Sequence, residues 1–143
     1  MNADSLIQIA SRNGAQYAWL RQSLNDFEMA KILLASNKWD GVCYHAQQAV
    51  EKLLKFMLSD SGQAFRHTHS VHELAKDCNI VLETSVFDDD VIDSYKELSQ
   101  YNTIARYPSS CDAPDRNSMC RCRRMFQQAV RHTSRRGRRS SLR

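Results

Sequence analysis

Residues 41–59, GVCYHAQQAVEKLLKFMLS, constrain the fold more than any other stretch of this chain. Placed at 100° intervals, Val42, Cys43, Ala46, Ala49, Val50, Leu53, Leu54, Phe56 and Met57 fill one half of a helical wheel. His45, Gln47, Gln48, Glu51, Lys52 and Lys55 fill the other half. A strand, with its period of two, would scatter the same residues over both faces. The segment is therefore an amphipathic helix that needs an apolar partner, and Asp40 stands where an N-cap would open it.

The neighbouring segments can supply that partner. Residues 15–36 carry Tyr17, Leu20, Leu24, Phe27 and Leu34 on one helical stripe, with Trp19, Met29, Ile32 and Leu33 on other faces of the same helix. A helix apolar on several sides touches more than its local core, so a second helix or a second subunit is expected over it. Ser70 followed by Glu73 has capping-box spacing and opens a short helix with Val71, Leu74, Ala75 and Cys78 inward. Asp88, Asp89 and Asp90 lead a further helix, as the helix dipole prefers, and Val91, Tyr95, Leu98 and Ala105 share its stripe with Tyr101 alongside. Pro108 ends that helix, because it pushes the preceding residue out of helical geometry. A fifth helix is expected from Pro114 to about Arg131.

Four glycines and two prolines in 143 residues are too few for an all-β chain, which needs frequent turns. No internal repeat and no strand pattern emerges. The expected fold is all-α: an antiparallel up-and-down bundle of four long helices plus a short C-terminal fifth. Residues 1–14 form an N-terminal lead, 15–132 the bundle domain, and 133–143 an arginine-rich tail with no hydrophobic pattern to fold on. No apolar run approaches the roughly 20 residues of a membrane span. The opening residues lack the basic and apolar regions of a secretory signal, and the expected location is the cytoplasm.

Charge is unevenly distributed. Residues 116–143 hold ten arginines and no acid, which leaves residues 1–115 with ten bases against 16 acids. An acidic body thus carries an arginine-only end. Such a density of arginine either binds phosphate backbones through counterion release or stays a solvated tail. The five cysteines, Cys43, Cys78, Cys111, Cys120 and Cys122, are odd in number and scattered, which argues against a disulfide framework. Cys120 and Cys122 point about 200° apart on a helix and cannot share one metal.

Three places have residues suited to chemistry. Asn102 and Arg106 lie one turn apart at the edge of an apolar stripe, where a guanidinium either forks onto a phosphate or rests its stem on the core. The run RHTHSVH, 66–72, holds three histidines, but no carboxylate or cysteine of matching spacing completes a metal site, and His69 at a helix entrance is expected to be structural. Finally, His45, Gln48, Lys52 and Lys55 follow one another at helical spacing. They form a polar band that is either a solvent face or an interface or nucleotide-facing surface. The chain has no glycine-rich phosphate loop, no HExxH and no nucleophile elbow, and no cofactor or metal is expected.

The stretch YHAQQAVEKLLKFML, preceded by DFEMAKILL and followed by THSVHEL and IARYP, resembles the HEPN (higher eukaryotes and prokaryotes nucleotide-binding) family over residues 17–130. The resemblance implies an up-and-down bundle of four helices plus a short fifth, usually a homodimer. Its members include ribonuclease toxins paired with small nucleotidyltransferase-like antitoxins, and non-catalytic domains that bind nucleotides or RNA. His45, Gln47 and Gln48 match the family's polar signature near the groove or dimer contact. The ribonucleases follow an arginine, after four to six residues, with a histidine. Arg106 matches the arginine, but Cys111, Asp112 and Ala113 fill the histidine window. Arg66 and His72 satisfy the bare spacing on a different loop. The resemblance with this departure implies binding without cutting. Arg106 is then the main phosphate contact, beside Asn102 and Gln48, with Lys52 and His45 as helpers. The alternatives are a metal-independent ribonuclease using Arg106 and His69, and a purely interacting subunit.

Overall fold

The computed structural model describes residues 3–83, 87–104 and 117, and its regular structure among them is entirely α-helical. Helix α1 spans Ala3–Ala10, α2 Ala15–Ala35, α3 Trp39–Asp60, α4 Val71–Val81 and α5 Asp89–Ile104. Ala105, the helix expected from Pro114 and the arginine tail lie outside the described residues, apart from Asn117, which is helical and exposed.

Residues of the N-terminal lead fold into α1, which buries Leu6 and Ala10 and packs on α2. Arg21 closes the joint by donating from Nη1 to the Ala10 carbonyl at 2.9 Å. Helix α2 stops at the sequence SNKW for a local reason. Asn37 adopts φ 56°, and Lys38 N–H returns to the Leu33 carbonyl at 2.9 Å while Asn37 N–H reaches Leu34. This is a Schellman ending, and asparagine tolerates its left-handed residue better than most side chains. Helix α3 then begins one residue before the expected cap: Lys38 holds the N-cap position, and Asp40 sits in the first turn, where its charge faces the helix dipole. A β-carbon on Gly41 would come within 2.8 Å of Leu33 Cδ1, so the turn is tight as well as short.

Helices α2 and α3 run antiparallel, since their contacts pair rising numbers with falling ones. Tyr17 meets Phe56, Trp19 meets Lys55, Ser23 Oγ donates to the Ala49 carbonyl at 2.6 Å, and Asp26 meets His45. The face of α2 that closes this seam differs from the expected stripe. Leu20, Ser23, Asp26 and Ala30 are buried, whereas Tyr17, Leu24, Phe27 and Leu34 are half-buried. Small side chains win the contact because they let the two backbones approach, with Ala46 and Ala49 buried on the α3 side. Met29 and Ile32 remain exposed on α2.

Helix α3 ends in a second Schellman turn, with Gly62 at φ 77° and Gln63 N–H on the Leu58 carbonyl. Residues 61–70 then double back along α3 far enough for His69 to reach Glu51. Ser70 caps α4 by accepting from Glu73 N–H at 3.3 Å, as its spacing predicts. The reciprocal arm of the capping box is replaced: Ser70 N–H donates to Thr68 Oγ1, and the Glu73 carboxylate turns to Arg66. Helices α4 and α5 are antiparallel, with Val71 N–H on Ser99 Oγ at one end and Asn79 paired with the Phe87 backbone at the other.

The core is built around α3, with α2, α4 and α5 all contributing to it. Leu54, Val71, Leu74, Ala75, Cys78, Tyr95 and Leu98 have no measurable exposure. Cys43 and Cys78 are both free thiols in this interior. Burial pushes the Tyr95 phenol above its ordinary value near 10, with the Cys78 and Asp88 charges adding to the effect.

Candidate functional site

The polar half of α3 is only partly a solvent face. Gln47, Glu51 and Lys55 are 0%, 3% and 7% exposed, and Asp26 of α2 is 7% exposed. Removing these groups from water is costly unless each finds partners, and each does. No buried side-chain nitrogen or oxygen among the described residues lacks a hydrogen bond.

Two clusters share the work. In the first, Asp26 accepts from both sides: Oδ1 lies 2.8 Å from His45 Nδ1, and Oδ2 is paired with Lys52 Nζ. With Nδ1 engaged, the outer nitrogen of His45, Nε2, points away from the carboxylate, and the ring keeps 24% of its surface exposed. Asp26 was not among the residues singled out from the sequence. The signal was there, because it sits three residues beyond Ser23 and four before Ala30, a carboxylate on a stripe of small residues.

The second cluster surrounds Glu51. Its Oε1 meets Lys55 Nζ at 2.8 Å and His69 Nδ1 at 3.1 Å, and its Oε2 accepts from Gln47 Nε2 at 3.0 Å. Gln47 Nε2 also donates to the His69 carbonyl at 3.2 Å, which ties the returning loop to α3. Gln48 Nε2 donates to Gln47 Oε1 at 2.7 Å and lies 3.5 Å from Asn102 Oδ1, at the long end of hydrogen-bond range. Lys55 is covered by aromatic rings, its ammonium 5.2 Å from the Trp19 centroid and 5.9 Å from that of Phe65.

Together these contacts make a continuous polar surface. His45, Gln48 and Lys52 of α3 are its partly exposed centre, linked to Asp26 of α2 through His45 and Lys52, to Asn102 of α5 through Gln48, and to the 61–70 loop through Glu51 and His69. The structure thus gathers four of the five expected binding residues, His45, Gln48, Lys52 and Asn102. The fifth, Arg106, lies outside the described residues, as do Cys111, Asp112 and Ala113 of the histidine window.

The RHTHSVH run is spent on anchoring. Arg66 forks onto Asp77 with Nε and Nη2 at 2.9 and 2.6 Å and reaches Glu73 at 3.0 Å. Its hydrogen bonds to Asp77, then that carboxylate's charge, raise its pKa further above the ordinary arginine value. His72 sits 3.4 Å from Glu73, and His69 is bound to Glu51. Among the described residues, no three His, Cys, Asp or Glu side chains gather closely enough to hold a metal ion. Nor is any described helix long and apolar enough to cross a membrane.

Comparison with known proteins places this arrangement. A crystal structure of TT1696 from Thermus thermophilus superposes with a TM-score of 0.64, covering 83% of this chain and 93% of that one at 24% identity, a likeness of fold. A protein of Methanocaldococcus jannaschii named "Putative toxin MJ1304" is 30% identical over 96 residues, a stretch that spans 63% of this chain and 61% of that protein. The HEPN domain model matches residues 16–133, which takes in all of α2 but its first residue, α3 to α5 and every residue of the polar clusters, so the chain belongs to the HEPN domain family.

Proposed function

We propose that this protein binds a nucleotide or an RNA phosphate without cutting it, as a homodimer. In this reading it is the HEPN component of a toxin–antitoxin-like pair with a minimal nucleotidyltransferase. The observation that carries the binding role is the approach of Gln48 to Asn102, which sets the polar band of α3 beside the last described turn of α5. Arg106 follows Asn102 by four residues, one helical turn in sequence, and is the main phosphate contact, with Asn102 and Gln48 supplying hydrogen bonds. His45 and Lys52 contribute less, because Asp26 already shares their charge. The toxin name of the archaeal relative supports the pairing with an antitoxin-like partner.

The deciding experiment is an RNA cleavage assay without added metal, run beside RNA binding, on wild type and Arg106→Ala. Binding without cleavage, weakened about ten-fold or more in the variant, is the expected result; a charge-assisted contact is worth about 1.5–3 kcal/mol. Unchanged binding in Arg106→Ala would sink the assignment. The pairing is checked by co-purification with a nucleotidyltransferase-like protein.

One observation favours a second reading as a metal-independent ribonuclease. Both His45 and His69 have Nδ1 on a carboxylate and Nε2 left for proton transfer, the arrangement of an oriented acid–base group. RNA cleavage abolished by His45→Ala or His69→Ala would establish it.

A further inference from the structure

We propose that the polar surface of α3 recognises the base of its nucleotide, and that Trp19 and Phe65 form the face on which an unpaired base stacks. The proposal deepens the nucleotide-binding reading and rests on it. Its first support is electrostatic. Lys52 is neutralised by Asp26 and Lys55 by Glu51, so with neutral imidazoles the two clusters carry no surplus charge. A surface built mainly to hold phosphates would leave its cations unpaired. What the surface offers instead is a set of amide and imidazole edges, Gln48 beside Asn102, His45 on Asp26 and His69 on Glu51, of the kind that meets the donors and acceptors of a base.

The second support is the aromatic pair. Trp19 and Phe65 meet edge to face with centroids 5.6 Å apart, and both remain partly exposed. Lys55 backs both rings from the buried side and is itself bound to Glu51, which His69 and Gln47 also contact. The rings therefore flank the Glu51 cluster that Gln48 also joins, on Lys55 about two turns further along α3. Partly exposed rings beside polar side chains are the usual platform for bases taken from single strands or free nucleotides.

The test uses intrinsic fluorescence. The chain has two tryptophans, so Trp39→Phe leaves Trp19 as the sole reporter. Adenosine monophosphate, ribose 5-phosphate and a short single-stranded oligoadenylate are titrated against this variant. Quenching by the monophosphate and the oligonucleotide is expected, with ribose 5-phosphate binding at least ten-fold more weakly. Phe65→Leu, with its fold checked by circular dichroism, should erase most of that difference, because stacking one base is worth roughly a ten-fold change in affinity or more. Arg106→Ala should weaken all three ligands and leave the ratio between them intact. Equal binding of the monophosphate and ribose 5-phosphate without quenching would overturn the base proposal while leaving phosphate binding in place. Failure of all three ligands to bind would overturn both.

Discussion

The two seams of α3 contrast in composition. Toward α4 and α5 it meets Val71, Leu74, Ala75, Cys78, Tyr95 and Leu98, an apolar surface without measurable exposure. Toward α2 and the returning loop it buries Ser23, Asp26, Gln47, Glu51 and Lys55. The first seam is what any helical fold needs, since removing apolar area from water supplies most of the driving force. The second is expensive, because buried charges recover their desolvation only through well-placed partners, and apolar replacements often stabilise as well or better. On the proposed reading the second seam is kept for binding, and the contrast then separates residues that hold the fold from residues that serve the site.

Five variants can break or sharpen this contrast. The largest effect is expected from Leu74→Ala, which empties a fully buried position and should cost about 3 kcal/mol or more in denaturant unfolding. Nucleotide affinity of the protein still folded should not change. Glu51→Ala is expected to cost about 3 kcal/mol by leaving Lys55 buried without its carboxylate, and here binding should fall as well. Replacing both, with Glu51→Leu and Lys55→Met, should recover most of the stability but none of the binding; recovered binding would count against a functional role for the pair.

Asp26→Asn should cost about 1–3 kcal/mol, since His45 and Lys52 lose a shared acceptor. Its effect on binding should exceed that of Leu74→Ala although its effect on stability is smaller. The gentlest change is Gly62→Ala, expected to cost about 1 kcal/mol because φ is 77° there, with binding unchanged.

The apolar seam also carries a pH signature. Burial raises the Tyr95 pKa above its unfolded value near 10, so the folded state holds that proton more tightly than the unfolded chain. The stabilising contribution is fully present below pH 10 and is lost as pH rises through the folded value. Unfolding midpoints should therefore fall above pH 10, and Tyr95→Phe should flatten that fall. An unchanged alkaline limb in the variant would assign it elsewhere.

Much of the fold is legible without coordinates, and particular residues show why. Periodicity alone places α2 at 15–36 and α3 at 41–59, against observed limits of 15–35 and 39–60, and it identifies Val71, Leu74, Ala75 and Cys78 as one inward face. These are local properties, set by the 3.6-residue period and by turn chemistry at Asn37, Gly62 and Ser70. The partners of the polar residues are not local. Asp26 is 19 and 26 positions from the side chains that partner it, and Glu51 is 18 from His69. Nothing in helical spacing says that Gln47, Glu51 and Lys55 would be covered.

By itself, then, the sequence determined the helical class, most helix limits, the apolar half of α3 and the family resemblance that the HEPN domain match bears out. Tertiary structure alone decided which face of α2 closes on α3, that the loop at 61–70 returns to cap Glu51, and that one carboxylate serves both His45 and Lys52. The physical reason is range: backbone conformation and amphipathicity act over a few residues, whereas desolvated charges must be satisfied by whatever the completed packing brings within about 3 Å.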